Sequence, residues 1–178
     1  LYRNAREMID AGEIGEPQAV IAHCGVGAAQ WGHTHAADML LMLAGDGEVD
    51  FVQGTARFGD DDRDGERLTV DAAIEMGYAR FANGVHAYLV ASGGYEFEAT
   101  GTEGKLRTLS NGAGYSWRRR GPYESFVDAV GPEAPIESGT LRAIEDLVRA
   151  IDDDTDTLGG IELACRSQEM VLGMIASS

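Results

Sequence analysis

The spacing of apolar residues divides the chain into a helical opening, a long strand-like middle and a helical close. Tyr2, Ala5, Met8 and Ile9 share one face of a helix over Leu1–Ala11, and Gly12, Gly15 and Pro17 mark its exit. Gln18–Gly25 reads as a strand, with Val20 and Ala22 alternating against Ile21 and His23. Thr34 is placed as the N-cap of an apolar helix ending near Gly45. Val49–Phe58 is a strand, and an acidic loop, Gly59–Arg67, follows. Val70, Ala72, Ile74, Met76 and Tyr78 alternate onto one face of a strand reaching Phe81. Asn83-Gly84 is a two-residue hairpin signal, with Val85–Ser92 as the return strand. Gly93-Gly94 turns into Tyr95–Thr100, and Gly101-Thr102-Glu103-Gly104 turns into Lys105–Leu109 and Tyr115–Arg119. This middle block predicts an antiparallel meander with one face covered and one partly open.

The close is helical again. Tyr123–Val130 is expected to be a short helix. Leu141, Ile144, Leu147, Val148 and Ile151 define an amphipathic helix, and Asp152–Gly160 is an acidic break. Ile161, Ala164, Cys165, Gln168, Val171, Leu172 and Ile175 define the last helix. The expected class is α+β: an open, mainly antiparallel (mixed) β-sheet with helices packed on one face.

Composition adds a constraint on partners. With 30 acidic and 14 basic residues the formal net charge is −16, and Lys105 is the one lysine. That field repels nucleic acid and anionic membrane surfaces, so neither is expected as a partner. An acidic, lysine-poor surface is tolerated best where salt screens it, so a halophilic source is expected. Cys24 and Cys165 lie among apolar or small residues without CxxC spacing, and both read as reduced and buried in a cytoplasmic protein. Neither a signal peptide nor a run of 18 apolar residues is evident. The opening Leu1-Tyr2-Arg3 looks like helix interior, so the chain is expected to be part of a longer polypeptide.

Candidate chemistry concentrates in Trp31-Gly32-His33-Thr34-His35-Ala36-Ala37-Asp38. With a helix starting at Thr34, His35 and Asp38 are three apart and share a face of its first turn. There a neutral imidazole can act as general acid or base, beside a carboxylate favoured by the helix terminus. The competing reading is a capping aspartate and a core histidine. His33-x-His35 also has zinc-like spacing, with His23 or Asp38 as a third ligand, but three or four convergent ligands are required and no metal is assigned. Asp60, Asp62 and Asp64, with Gly65 sixth and Asp71 twelfth, match calcium-loop spacing. Strands flank that loop and Arg67 fills its eighth position, so a solvated acidic hairpin is the competing reading. Gly25-Val26-Gly27 lacks the third glycine of a dinucleotide fingerprint and is read as a flexible joint. Arg118-Arg119-Arg120 is the one basic cluster; Arg118 is a candidate for an anionic substrate group, or a neutraliser of nearby carboxylates.

Taken in order, these segments resemble the C-terminal domain of the glucose-fructose oxidoreductase / inositol dehydrogenase family. Ala5–Pro17 resembles its linking helix and the entry to its sheet. Gly32–Leu40 resembles its glycine–histidine–aspartate–leucine segment. Asn83-Gly84 and Gly101–Gly104 resemble its sheet turns, and Leu141–Ser178 its closing helices. The resemblance implies one domain over 1–178: a linking helix at 1–15, a sheet over 18–120 with an inserted helix at 34–44, and closing helices over 123–178. It implies an oxidoreductase using NAD or NADP, held mainly by an N-terminal Rossmann domain outside this chain. It implies a sugar, cyclitol or related polyol as substrate, and a homo-oligomer formed through the sheet face. His35 would be the acid/base and Asp38 its companion; Trp31, His33 and Arg118 are substrate-binding candidates. Members often carry aspartate four residues before the histidine. Here the position is Trp31, which could stack on a sugar face or belong to the core. The alternative is a non-catalytic substrate-binding or oligomerisation module.

Overall fold

The computed structural model describes residues 2–121, 126–130 and 138–178, except Val26, Asp46 and Glu66. Helix α1 (Tyr2–Asp10) buries Ala5 and Ile9 and ends in a Schellman closure. Gly12, at φ +78°, donates its N–H to Ile9 O, while Glu13 N–H reaches Met8 O. The chain then enters β1 (Pro17–Cys24), β2 (Gly27–Ala28), a π-helical turn (Ala29–His33) and α2 (Thr34–Ala44). Strands β3 (Val49–Arg57), β4 (Arg63–Asp64), β5 (Arg67–Leu68), β6 (Ala73–Phe81) and β7 (His86–Ala91) follow. Next come β8 (Glu96–Gly101), β9 (Gly104–Leu109), β10 (Gly114–Arg120) and β11 (Phe126–Val130). Helices α3 (Gly139–Asp153) and α4 (Ile161–Ala176) close the chain.

The result is the expected α+β class: an open, mixed, mostly antiparallel sheet. The strands run β11-β10-β9-β8-β1-β7-β6, with β3 along the far edge of β6 and β2 paired to Ala73 and Ile74. The middle is not a simple meander. Strand β1 is inserted between β7 and β8, parallel to the first and antiparallel to the second. The short Ser92–Tyr95 connection passes over the end of β1, where Ser92 N–H donates to Cys24 O at 3.2 Å. Sequence alternation marks each strand but cannot show that a strand some sixty residues upstream takes the middle place.

Three further expectations change. Phe126–Val130, read as helix, is a strand paired with Ser116–Arg120. In β6 the alternation slips: Thr55 pairs with Met76 but Ala56 with Ile74, so Glu75 is a bulge. Ala72 and Ile74 therefore face the core before it and Gly77, Ala79 and Phe81 after it, while Met76 is exposed. The hairpin after β6 has three loop residues, Ala82-Asn83-Gly84, with Gly84 at φ +85° and Phe81 N–H donating to Val85 O.

Helices α1, α2 and α4 cover one face of the sheet. Leu40 and Leu43 of α2, Leu89 and Phe97 of the sheet, and Val171 and Met174 of α4 are sealed from solvent. Each such side chain contributes on the order of 1.5–3 kcal/mol by leaving water. Helix α4 lies rotated from the expected face: Ser167, Met170, Val171, Met174 and Ile175 are buried, whereas Ile161 and Leu172 are exposed. Helix α3 buries only Ala150 and leaves its apolar stripe in solvent. Among the described residues no helix is long and apolar enough to cross a membrane.

Candidate active site

The histidine segment folds as a wide turn running into a helix. Ala29–His33 forms one π-helical turn that continues directly into α2. Thr34 is therefore a helical residue rather than the cap, and its hydroxyl donates to Gln30 O at 3.4 Å. His35 and Asp38 thus sit a turn inside a continuous helical path, and the free-terminus argument does not apply to them. The turn is pinned at several points. Gln30 N–H donates to Asp71 Oδ1 at 2.8 Å, and its side-chain amide is bonded by Gln168 of α4. His33 Nε2 lies 3.1 Å from Gly25 O, so that nitrogen carries the proton. Two positions apart in this turn, Trp31 and His33 point opposite ways: Trp31 is 85% exposed and His33 is 2% exposed.

Beside this turn lies an open cavity of about 570 Å³. Trp31, Gly32, His35, Asp38 and Met39 form one wall. Tyr2 of α1, Tyr95 just before β8 and Asn111 form the other. Asp38 is oriented by the buried Ser167 of α4, whose hydroxyl donates to Asp38 Oδ1. Tyr2 Oη donates to Asn111 Oδ1 at 3.3 Å, and Tyr95 Oη lies 3.5 Å from Gly32 O. Burial pushes the Tyr95 phenol up to about 12, helped by Cys24, Tyr2 and the Asp38 carboxylate. Burial likewise raises Tyr2. Both phenols are thus neutral hydrogen-bond donors in ordinary buffers. An imidazole, a carboxylate, an amide and two phenols around one void can bind a polyhydroxylated molecule and exchange a proton with it.

The other sequence candidates lie elsewhere. His33 is turned into the core, and its Nδ1 has no hydrogen-bond partner. His23 pairs with Ser92 Oγ at 3.2 Å. Among the described residues no group of three or more His, Cys, Asp or Glu side chains converges on a metal-sized site. In the acidic loop Asp62 accepts from Gly59 N–H, and Asp71 is taken up by Gln30. Arg118 lines a different depression, on the open sheet face, with Glu96, Glu98, Lys105 and Arg107. Gly27 pairs with Ile74 in β2 rather than opening a phosphate-binding turn. Cys24 is buried with its thiol pushed up to about 11 by that burial, whereas Cys165 is exposed, against expectation. Tyr2, Tyr95, Asn111 and Ser167 escaped the sequence reading. Their spacing from Asp38, up to 129 residues for Ser167, leaves no local pattern.

The sequence matches no protein-family model and no curated protein. Its fold, by contrast, recurs within solved oxidoreductases. An oxidoreductase domain protein from Kribbella flavida superposes with a TM-score of 0.75 at 16% identity, over 99% of this chain and 60% of that one. Levoglucosan dehydrogenase, solved with NADH and levoglucosan, gives 0.70 at 17%, over 99% and 62%. UDP-N-acetylglucosamine 3-dehydrogenase from Acidithiobacillus ferrooxidans gives 0.68 at 15%, over 96% and 56%. At these identities the likeness is one of fold. The chain spans somewhat over half the length of each of these proteins.

Proposed function

We propose that this chain is the substrate-side, C-terminal domain of an oxidoreductase that uses NAD or NADP to oxidise or reduce a sugar, cyclitol or related polyol. The observation that carries this reading is the cavity. His35 and Asp38 share one helix wall, Ser167 fixes the carboxylate, and neutral phenols and an amide face them. His35 is assigned as the general acid/base that takes the hydroxyl proton of the carbinol undergoing oxidation. Asp38, on the same wall of the cavity, keeps the site polar beside it. The nicotinamide supplies the hydride acceptor or donor when bound. Gly27 pairs with Ile74 across a short strand and does not open a phosphate-binding turn. We assign the nucleotide to a segment outside these 178 residues, in keeping with the greater length of the structurally similar oxidoreductases, and expect the isolated chain to be inactive.

We assign the open sheet face to homo-oligomer contacts. Phe51, Met76 and Tyr88 are exposed there, and Lys105–Glu98 and Arg107–Glu96 pairs make it a mixed-sign surface on an otherwise acidic molecule.

The test is His35→Ala in a polypeptide carrying the nucleotide-binding segment, assayed with NAD and NADP against a panel of sugars and cyclitols. Turnover should fall by about 100-fold or more, the scale of general acid–base catalysis. Unchanged turnover would remove His35 from the mechanism. Ligand binding without any nicotinamide-dependent turnover would establish the non-catalytic module instead.

A further inference from the structure

The cavity wall also carries information on which polyols it admits. Its one ionisable carboxylate is Asp38, and none of the described lining residues is lysine or arginine. Arg118, Lys105 and Arg107 belong to the separate depression on the open sheet face. Arg6 is occupied by Asp10 and by the carbonyls of Met42 and Leu43. A phosphate, diphosphate or carboxylate entering beside His35 would meet a negative charge, no cation among the described lining residues and the field of a chain with net charge −16.

What the wall does offer is aromatic area and neutral hydrogen-bonding groups. Trp31 is held in solvent at the rim by the π turn and its bonds to Asp71, Gln168 and Gly25. The pinned backbone fixes where the indole leaves the chain, so that part of the ordering needed for stacking is already met. The flat face of a pyranose or cyclitol is rich in C–H groups and fits such a surface, while its hydroxyls reach the polar wall.

We propose that this cavity selects uncharged sugars or cyclitols, stacked on Trp31, and excludes phosphorylated, nucleotide-linked and acidic sugars through Asp38. This rests on the assignment of the cavity as the substrate site and narrows its ligand class.

The test is a titration of the 178-residue protein at constant ionic strength, following tryptophan emission. The probes are myo-inositol, methyl glucoside, glucose 6-phosphate, glucuronate and UDP-glucose. Trp31→Leu identifies which part of the signal belongs to Trp31, since Trp117 is half-buried and donates to Glu13 O. The neutral probes should shift the Trp31 emission, with the anionic ones at least about 10-fold weaker. Asp38→Asn should narrow that gap, since the amide oxygen still accepts from Ser167. Anionic probes binding as tightly as neutral ones would overturn the selectivity while leaving the cavity as a sugar site. A gap that Asp38→Asn leaves intact would overturn the role given to Asp38. No response to any probe would overturn both the stacking platform and the substrate-site assignment.

Discussion

At the scale of single residues, burial raises the titration of Tyr95 in the cavity wall and of Cys24 near it. Tyr95 titrates near 10 in an unfolded chain and about 12 in the fold; Cys24 moves from 9.0 to about 11. Each raised value means that the folded state holds its proton longer than the unfolded state does. The stability this represents is complete below the unfolded value and is lost as pH climbs through the folded one. The protein should therefore weaken progressively above about pH 9, and Tyr95→Phe should flatten the upper part of that decline. Urea midpoints for both proteins from about pH 8 to about pH 11 check it. Parallel declines would show that Tyr95 is not a source of the alkaline sensitivity.

His35 and Asp38 were legible in the sequence because polar groups three apart inside an apolar helix are unusual and share a face. Trp31 was legible only as an anomaly. It lies exposed in a π turn, which has no distinct hydrophobic period. His33 shows the limit of composition: two positions past Trp31 in the same turn, a pocket candidate becomes a core residue.

At the scale of elements, the seat of α4 on β3 and β6 is set by two glycines. A Cβ added at Gly54 would sit 2.6 Å from Met174 O, a backbone atom of α4. A Cβ at Gly77 would instead meet Met174 Sδ, the movable end of a side chain. Gly54→Ala must displace the helix and should cost about 1–3 kcal/mol or more, whereas Gly77→Ala should be milder because Met174 can change rotamer. Equal losses in denaturant midpoint would show that α4 shifts as easily as a methionine. The loss at Gly54 should also reach the cavity, since Ser167 on the same helix orients Asp38.

Most elements were legible from period and turn residues, because alternation and the Gly/Asn punctuation are local properties. The bulge at Glu75, the insertion of β1 between β7 and β8, and the strand at Phe126–Val130 were not. Each is fixed by pairing with a distant strand, which overrides local pattern. Helix α3 makes the converse point. Its amphipathic pattern was read correctly, yet Leu141, Ile144, Val148 and Ile151 remain exposed, so pattern shows a face without showing its cover.

At the scale of the whole molecule, net charge and the open sheet face oppose one another. Two copies brought together must overcome repulsion between bodies of charge −16. At low salt that repulsion extends over tens of ångströms; near 1 M salt the screening length is about 3 Å and only adjacent charges interact. In the proposed oligomer, apolar contacts and charge pairs at the sheet face would then outweigh it, with kosmotropic salt strengthening the apolar part further. The proposed high-salt setting and the proposed oligomer are thus one expectation: association through the sheet face should rise with ionic strength, opposite to a contact held by exposed salt bridges alone. Sedimentation at low and molar salt reads this directly. Tyr88→Glu, placing a charge among Phe51, Tyr78 and His86 of that face, should keep the protein monomeric at high salt without loss of fold, because Tyr88 is already exposed. Association that falls with salt would refer the contact to ion pairs. Association unaffected by Tyr88→Glu would move it off this face, where the uncovered stripe of α3 would be the next surface to vary.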